Sequence, residues 1–113
     1  MEHQIKDRTG AVVISFEGDV ALQSSPQARE ALLECVSRNR PVLVDLSRVN
    51  YIDSSGIASL VESLQSARKR GSELVLVAVS ETAMRVFKLA RLETVFTIFE
   101  TLDEALAKTG NPT

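Results

Sequence analysis

The sequence is short of most side chains that perform chemistry. Its 113 residues include one cysteine, Cys35, one histidine, His3, and no tryptophan. A single thiol excludes an internal disulfide and any zinc site built on cysteines. His3 sits beside the chain start with no plausible ligand or acid–base partner around it, so a serine–histidine nucleophile is a poor fit. The G-x-S-x-G elbow, the Walker loop and the G-x-G-x-x-G turn are all missing. Aromatic residues make up 4% of the chain, with a single tyrosine, too few for a platform on which bases or sugars stack. No apolar run approaches the length of a membrane span. The opening MEHQIKDRTG has no apolar signal core, so a cytoplasmic protein is expected, without direct membrane insertion. Neither charge sign dominates: 13 Lys and Arg against 15 Asp and Glu give a net charge of −2, with the signs interspersed. That balance argues against nucleic-acid binding, which concentrates cations on one face. Together these absences predict no enzyme, no metal and no cofactor.

What is present is an ordinary folding complement. A hydrophobic fraction of 44% beside 25% charged residues is far from the composition of disordered chains. The length suits one domain, residues 1–113, burying roughly two thirds of its surface on folding. Glu2–Arg8 alternates weakly and reads as an edge strand, with Thr9-Gly10 as the turn into AVVISFE, Ala11–Glu17, a β-branched strand ended by Gly18. Ser24, Ser25 and Pro26 are helix-start chemistry, and Ser24 with Gln27 fits a capping box. Ala28, Leu32, Cys35 and Val36 follow at helical spacing, and the helix stops before Pro41. Cys35 reads as a small buried hydrophobe.

Pro41–Leu46 is a near-continuous apolar run, as in strands covered on both faces. Asp45 at its end is suited to cap the turn at Ser47, and Val49–Ile52 is a second extended piece. Ile57, Leu60, Val61, Leu64 and Arg68 form one helical stripe. Arg68-Lys69-Arg70 then gives a cationic last turn, stopped by Gly71. Leu74–Val79 is the most hydrophobic strand and the expected centre of the sheet. Ser80 caps a helix with Ala83, Val86, Phe87 and Ala90 on one face. Val95–Phe99 is a last strand, and Leu102–Lys108 a short final helix. The alternation predicts an α/β sandwich: a mixed, mostly parallel sheet of about five strands with about four helices, its first strand antiparallel at an edge.

The sequence stops being generic between Val44 and Leu64, VDLSRVNYIDSSGIASLVESL. A strand runs into Asp53-Ser54-Ser55-Gly56, then directly into an amphipathic helix. Asp53 is a strong N-cap whose carboxylate is placed to accept from the N–H groups of Ser55 and Gly56. Ser54 then falls in the first turn with its hydroxyl near the surface. Gly56 costs about 1 kcal/mol against Ala inside a helix, which points to something approaching the backbone closely. A phosphate on Ser54 suits a helix N-terminus, where the dipole and free N–H groups favour negative charge, so modification changes a docking surface without unfolding the domain.

A strand followed by an aspartate, a spaced valine, Tyr51-Ile52-Asp53-Ser54-Ser55-Gly56-Ile57 and an amphipathic helix resembles the STAS domain of sulfate transporters and anti-sigma factor antagonists. The resemblance extends over essentially the whole chain, including the early strand at Gly18, LVLVAVS, and the helix with Met84, Val86-Phe87, Leu89-Ala90 and Leu92-Glu93. It implies a small bacterial anti-sigma factor antagonist working by partner switching. Unphosphorylated, such a protein binds an anti-sigma factor that is also a serine kinase of the GHKL ATPase type. Phosphorylation of the DSSG serine ends the interaction, and a PPM-type phosphatase restores it. Carried onto this chain, the phosphoacceptor is Ser54, with Asp53, Ser55, Gly56, Ile57 and Asp19 on the partner-binding side; a monomer or weak dimer is expected. One departure stands out: Gly18-Asp19-Val20-Ala21 puts Ala21 where such antagonists carry an aspartate, which bears on the identity of the partner. The resemblance also admits a non-catalytic subunit of an ABC-type lipid transport complex, or a partner-switching regulator of a non-sigma output.

Overall fold

The apolar runs assemble into one five-stranded sheet, which a computed structural model describes within residues 1–109. Residues 110–113 of the expected domain lie outside the described residues. The strands are β1 (Glu2–Arg8), β2 (Ala11–Val20), β3 (Val42–Ile52), β4 (Leu74–Val77) and β5 (Ile98–Phe99), in that spatial order. β1 pairs antiparallel with β2, and β2 through β5 run parallel. The crossovers are helices α1 (Ser25–Val36), α2 (Ser54–Lys69) and α3 (Glu81–Leu89), with α4 (Leu102–Thr109) at the end. The expected mixed α/β sandwich of five strands and four helices is what forms.

Period-two alternation divides the strand residues between two cores. Val12, Ile14 and Phe16 of β2 and Val42, Val44 and Leu46 of β3 face α1, α2 and α3, meeting Leu32, Leu60, Leu64 and Phe87. Ala11, Val13, Leu43, Val75 and Val77 face the other way, against Ala105 of α4. Helices therefore cover both faces, three against one. Each large side chain sealed here contributes about 1.5–3 kcal/mol relative to exposure, so the sheet is anchored mainly from the three-helix side.

Several local expectations change. β2 does not stop at Gly18 but continues to Val20, because Gly18 adopts φ +94° at a register irregularity against β3. Pro41–Leu46 and Val49–Ile52 are one strand, and that strand, β3, is the central one; β4 lies between it and two-residue β5. β4 ends at Val77 since Ala78 turns to φ 51°. Val95 and Phe96 precede β5, and Phe96 leaves the strand pattern to pack edge-on against Phe87, ring centres 5.7 Å apart. Ser24 is in the N-cap place but its hydroxyl makes no cap bond. The expected Ser24–Gln27 capping box is therefore absent, because that oxygen is used inside the preceding loop. Ala90 is exposed, while Ala83 and Phe87 point inward.

Cys35 is buried on α1, and burial pushes its thiol up to about 11. The folded chain resists forming a thiolate that the unfolded chain forms near its ordinary value of 9.0. This contribution to stability is therefore intact below the ordinary value and is lost as pH rises through the folded one. In native protein at neutral pH the thiol should not react with an aromatic disulfide reagent, and in denaturant one thiol should react fully. Prompt reaction of the native protein would place Cys35 at the surface.

Candidate functional site

β3 ends at buried Ile52, and Asp53 turns the chain into α2 from an extended conformation, φ −113° and ψ −173°. Oδ1 of Asp53 accepts from the N–H of Ser55 at 2.9 Å and of Gly56 at 3.1 Å, the bonds that its N-cap position predicts. Oδ2 accepts from the N–H of Leu22 at 3.1 Å, in the loop between β2 and α1. One carboxylate therefore closes the start of α2 and ties it to a loop from a distant part of the chain. That loop is itself tight: Ser24 Oγ accepts from Ala21 N–H at 3.0 Å and donates to the Asp19 carbonyl at 2.9 Å.

Gly56 explains why the first turn of α2 sits so close. A Cβ there would stand 2.3 Å from the Val20 carbonyl oxygen and 2.8 Å from Ile52 Cγ1. Helix and strand meet backbone to backbone, which only glycine permits. Further along α2, buried Ser59 and Ser63 face inward, and Ser63 donates to the Ser59 carbonyl at 2.8 Å. Ser59 Oγ lies 3.3 Å from the Ser25 carbonyl, drawing the starts of α1 and α2 together. Across the outside of the same seam Arg29 pairs with Glu62.

Held this way, Ser54 is the first residue of α2 and is exposed, with Ser55 half-buried behind it. Asp19 is exposed at the same end of the sheet, opposite Tyr51 in the β2–β3 ladder. The structure thus brings Asp19, Asp53, Ser54 and Ser55 to one end of the molecule. Gly56 and Ile57 lie beneath it. Ile57 is only 8% exposed and belongs to the core, so it holds the turn down instead of offering a surface. Two residues that sequence reasoning passed over are Leu22, 70% exposed, and Tyr51, 50% exposed. Period two counted from buried Val49 would turn Tyr51 inward, so the alternation gave no signal of its exposure.

The remaining candidates lie elsewhere. Asp45 caps the Ser47 N–H at 2.9 Å, as expected. Its side chain lines an open cleft with Gln4, Ser15 and Arg48. His3 lies against Phe16, ring centres 6.2 Å apart. Arg68 donates to the Val95 carbonyl at 3.4 Å and Arg70 to Asn39 Oδ1 at 3.0 Å, so this cationic turn fastens the far end of α2. Among the described residues, no group of three His, Cys, Asp or Glu side chains is placed to hold a metal ion.

A family model described as STAS domain matches residues 2–105. The chain is 34% identical over 97 residues to the anti-sigma-B factor antagonist of Listeria monocytogenes, covering 84% of this chain and 85% of that one. It is 32% identical over 106 residues to the anti-sigma-F factor antagonist RsfB of Mycobacterium tuberculosis, covering 90% and 84%. The crystal structure of an anti-sigma factor antagonist from Mycobacterium paratuberculosis superposes with a TM-score of 0.87 at 24% identity, over 97% of this chain and 94% of that one.

The geometry at Gly56 makes a sharp demand. Gly56→Ala should lower stability in urea or thermal unfolding by about 2 kcal/mol or more, because backbone atoms must move. Gly71→Ala, at a φ of +73° but with open space around it, should cost only about 1 kcal/mol. Equal losses at both positions would mean that the close approach of α2 to Val20 is not a constraint. Asp53→Ala should cost about 1–2 kcal/mol through the lost cap.

Proposed function

The chain belongs to the STAS domain family, and from that premise we propose that it is an anti-sigma factor antagonist switched by phosphorylation of Ser54. The observation that carries this reading is an exposed serine at the first position of a helix whose cap is already made by the neighbouring aspartate. The names of relatives 34% and 32% identical support the antagonist role. In this reading the unphosphorylated protein, in the cytoplasm, binds an anti-sigma factor that is also a GHKL-type serine kinase, and so frees the sigma factor. Leu22, Tyr51, Asp19 and the Ser54–Ser55 edge form the docking surface, with the exposed apolar pair supplying contact area.

The switching step is a phosphoryl transfer in which this chain is substrate. Ser54 Oγ attacks the γ-phosphorus of ATP held by the kinase, and a new O–P bond forms. The bond to the β,γ-bridging oxygen breaks, ADP leaves, and the hydroxyl proton passes to a base of the kinase. A PPM-type phosphatase reverses the modification with water as the acceptor. The helix dipole favours the added anion, so the fold tolerates it. Asp53 already spends both carboxylate oxygens on backbone N–H groups. Its charge repels the phosphate, which therefore faces outward. An anion of nearly two charges then meets whatever docks there.

The decisive experiment is incubation with the cognate kinase and ATP, followed by peptide mass spectrometry. One phosphate on Ser54, and none on Ser54→Ala, is the expected result. Phosphate on another residue, or no transfer, would overturn the mechanism. Ser54→Asp should bind the kinase about tenfold or more weakly than Ser54→Ala through like-charge repulsion, while melting like the wild type.

A further inference from the structure

We propose that β1 is a self-complementary edge, through which two copies of this chain pair into a weak symmetric dimer. The inference does not depend on the role of Ser54. β1 is the outermost strand of the sheet, and most of its seven residues are exposed. It has no proline, and its pairing with β2 runs without a register shift from Glu2 to Arg8. Edge strands of this kind are templates for a further strand unless something repels one.

The only guard is charge, and its order along EHQIKDR matters. Laid antiparallel on a second copy about Ile5, the strand puts Glu2 on Arg8, His3 on Asp7, Gln4 on Lys6 and Ile5 on Ile5. Every charged residue then faces an opposite charge or a neutral polar group, and symmetry supplies each such pair twice. Parallel pairing in register would put every charge on its own kind. Sliding the antiparallel register by two residues sets Lys6 against Lys6 in one direction and leaves Asp7 and Arg8 without partners in the other. A guard of one sign would repel its own copy; this one matches it.

The charges within the protomer fit the same reading. Asp7 is already bonded by Arg40 at 2.5 Å and Arg38 at 3.2 Å. Glu2 and Arg8 form no ion pair among the described residues. Glu2 instead faces Glu17 across the β1–β2 ladder, a like-charge opposition that a partner's Arg8 would relieve. Half-buried Ile5, packed on the main core, gives the centre of the pairing an apolar contact. An interface of one strand against one strand is far below the size of a stable dimer, so the association is weak and concentration-dependent. Because β1 pairs about a two-fold axis, the two Ser54 ends point in opposite directions and both stay open.

Sedimentation velocity of the full chain, from micromolar to millimolar concentration, tests this. The average mass of the wild type should rise towards that of a dimer. Arg8→Glu, which sets Glu against Glu twice, should weaken association by roughly tenfold or more, and adding Glu2→Arg should restore it. Melting curves should show all three proteins equally folded, since both positions are exposed. A wild type that stays monomeric at millimolar concentration would overturn the proposal. So would association that Arg8→Glu leaves untouched, or a double variant as weak as the single one.

Discussion

The structure turns on one carboxylate and one missing methyl group. Asp53 receives three backbone N–H groups, two from its own helix and one from Leu22 in the loop after β2. Gly56 lets that helix rest directly on the Val20 carbonyl. Either feature alone would be a local detail, a cap worth about 1 kcal/mol or a tight contact. Together they fix the ends of β2 and β3 and the start of α2 as one rigid unit. Ser54 is the residue that this arrangement leaves outside. Its neighbours are committed: Ser55 and Gly56 through their amides, Ile52 and Ile57 to the core.

From this follows a division between what holds the fold and what faces a partner. The core lies on the two faces of the sheet, beneath three helices on one side and one on the other. The proposed switch lies on the rim, where the strands end and α2 begins. A phosphate added there would take the net charge from −2 to nearly −4, since a phosphoserine carries about −1.5 to −2. That change meets a favourable helix dipole and no buried group, so its cost falls on the complex and not on the domain. The charged edge strand at β1 is a separate surface, and its pairing would leave the rim free.

Much of this was legible in the sequence, and the boundary has physical causes. The helical stripe from Ile57 to Leu64, the Asp53 cap with its two amide partners and the exposure of Ser54 are local properties, and each appears where residue order put it. Gly56 announced a close approach without naming Val20, because the strand it touches lies far away in sequence. The third bond of Asp53, to Leu22, was unreadable for the same reason. Errors also came where tertiary context decides. LVLVAV is the most apolar strand, yet centrality belongs to β3, which pairs along a greater length on both sides. Ser24 has cap chemistry, but its hydroxyl is spent on Asp19 and Ala21. Ile57 reads both as the start of the apolar stripe and as part of the partner-binding side, and the stripe prevails, leaving it 8% exposed.

The central claim is that phosphate on Ser54 changes a surface while Asp53 keeps its three backbone bonds. Amide chemical shifts and hydrogen exchange, compared between phosphorylated and unphosphorylated protein, address it directly. Shift changes should be confined to residues 19–24 and 51–58, with the Leu22 amide equally protected in both forms. Changes spreading through the central strands, or loss of protection at Leu22, would mean that the phosphate acts by breaking the Asp53 junction, and would contradict it.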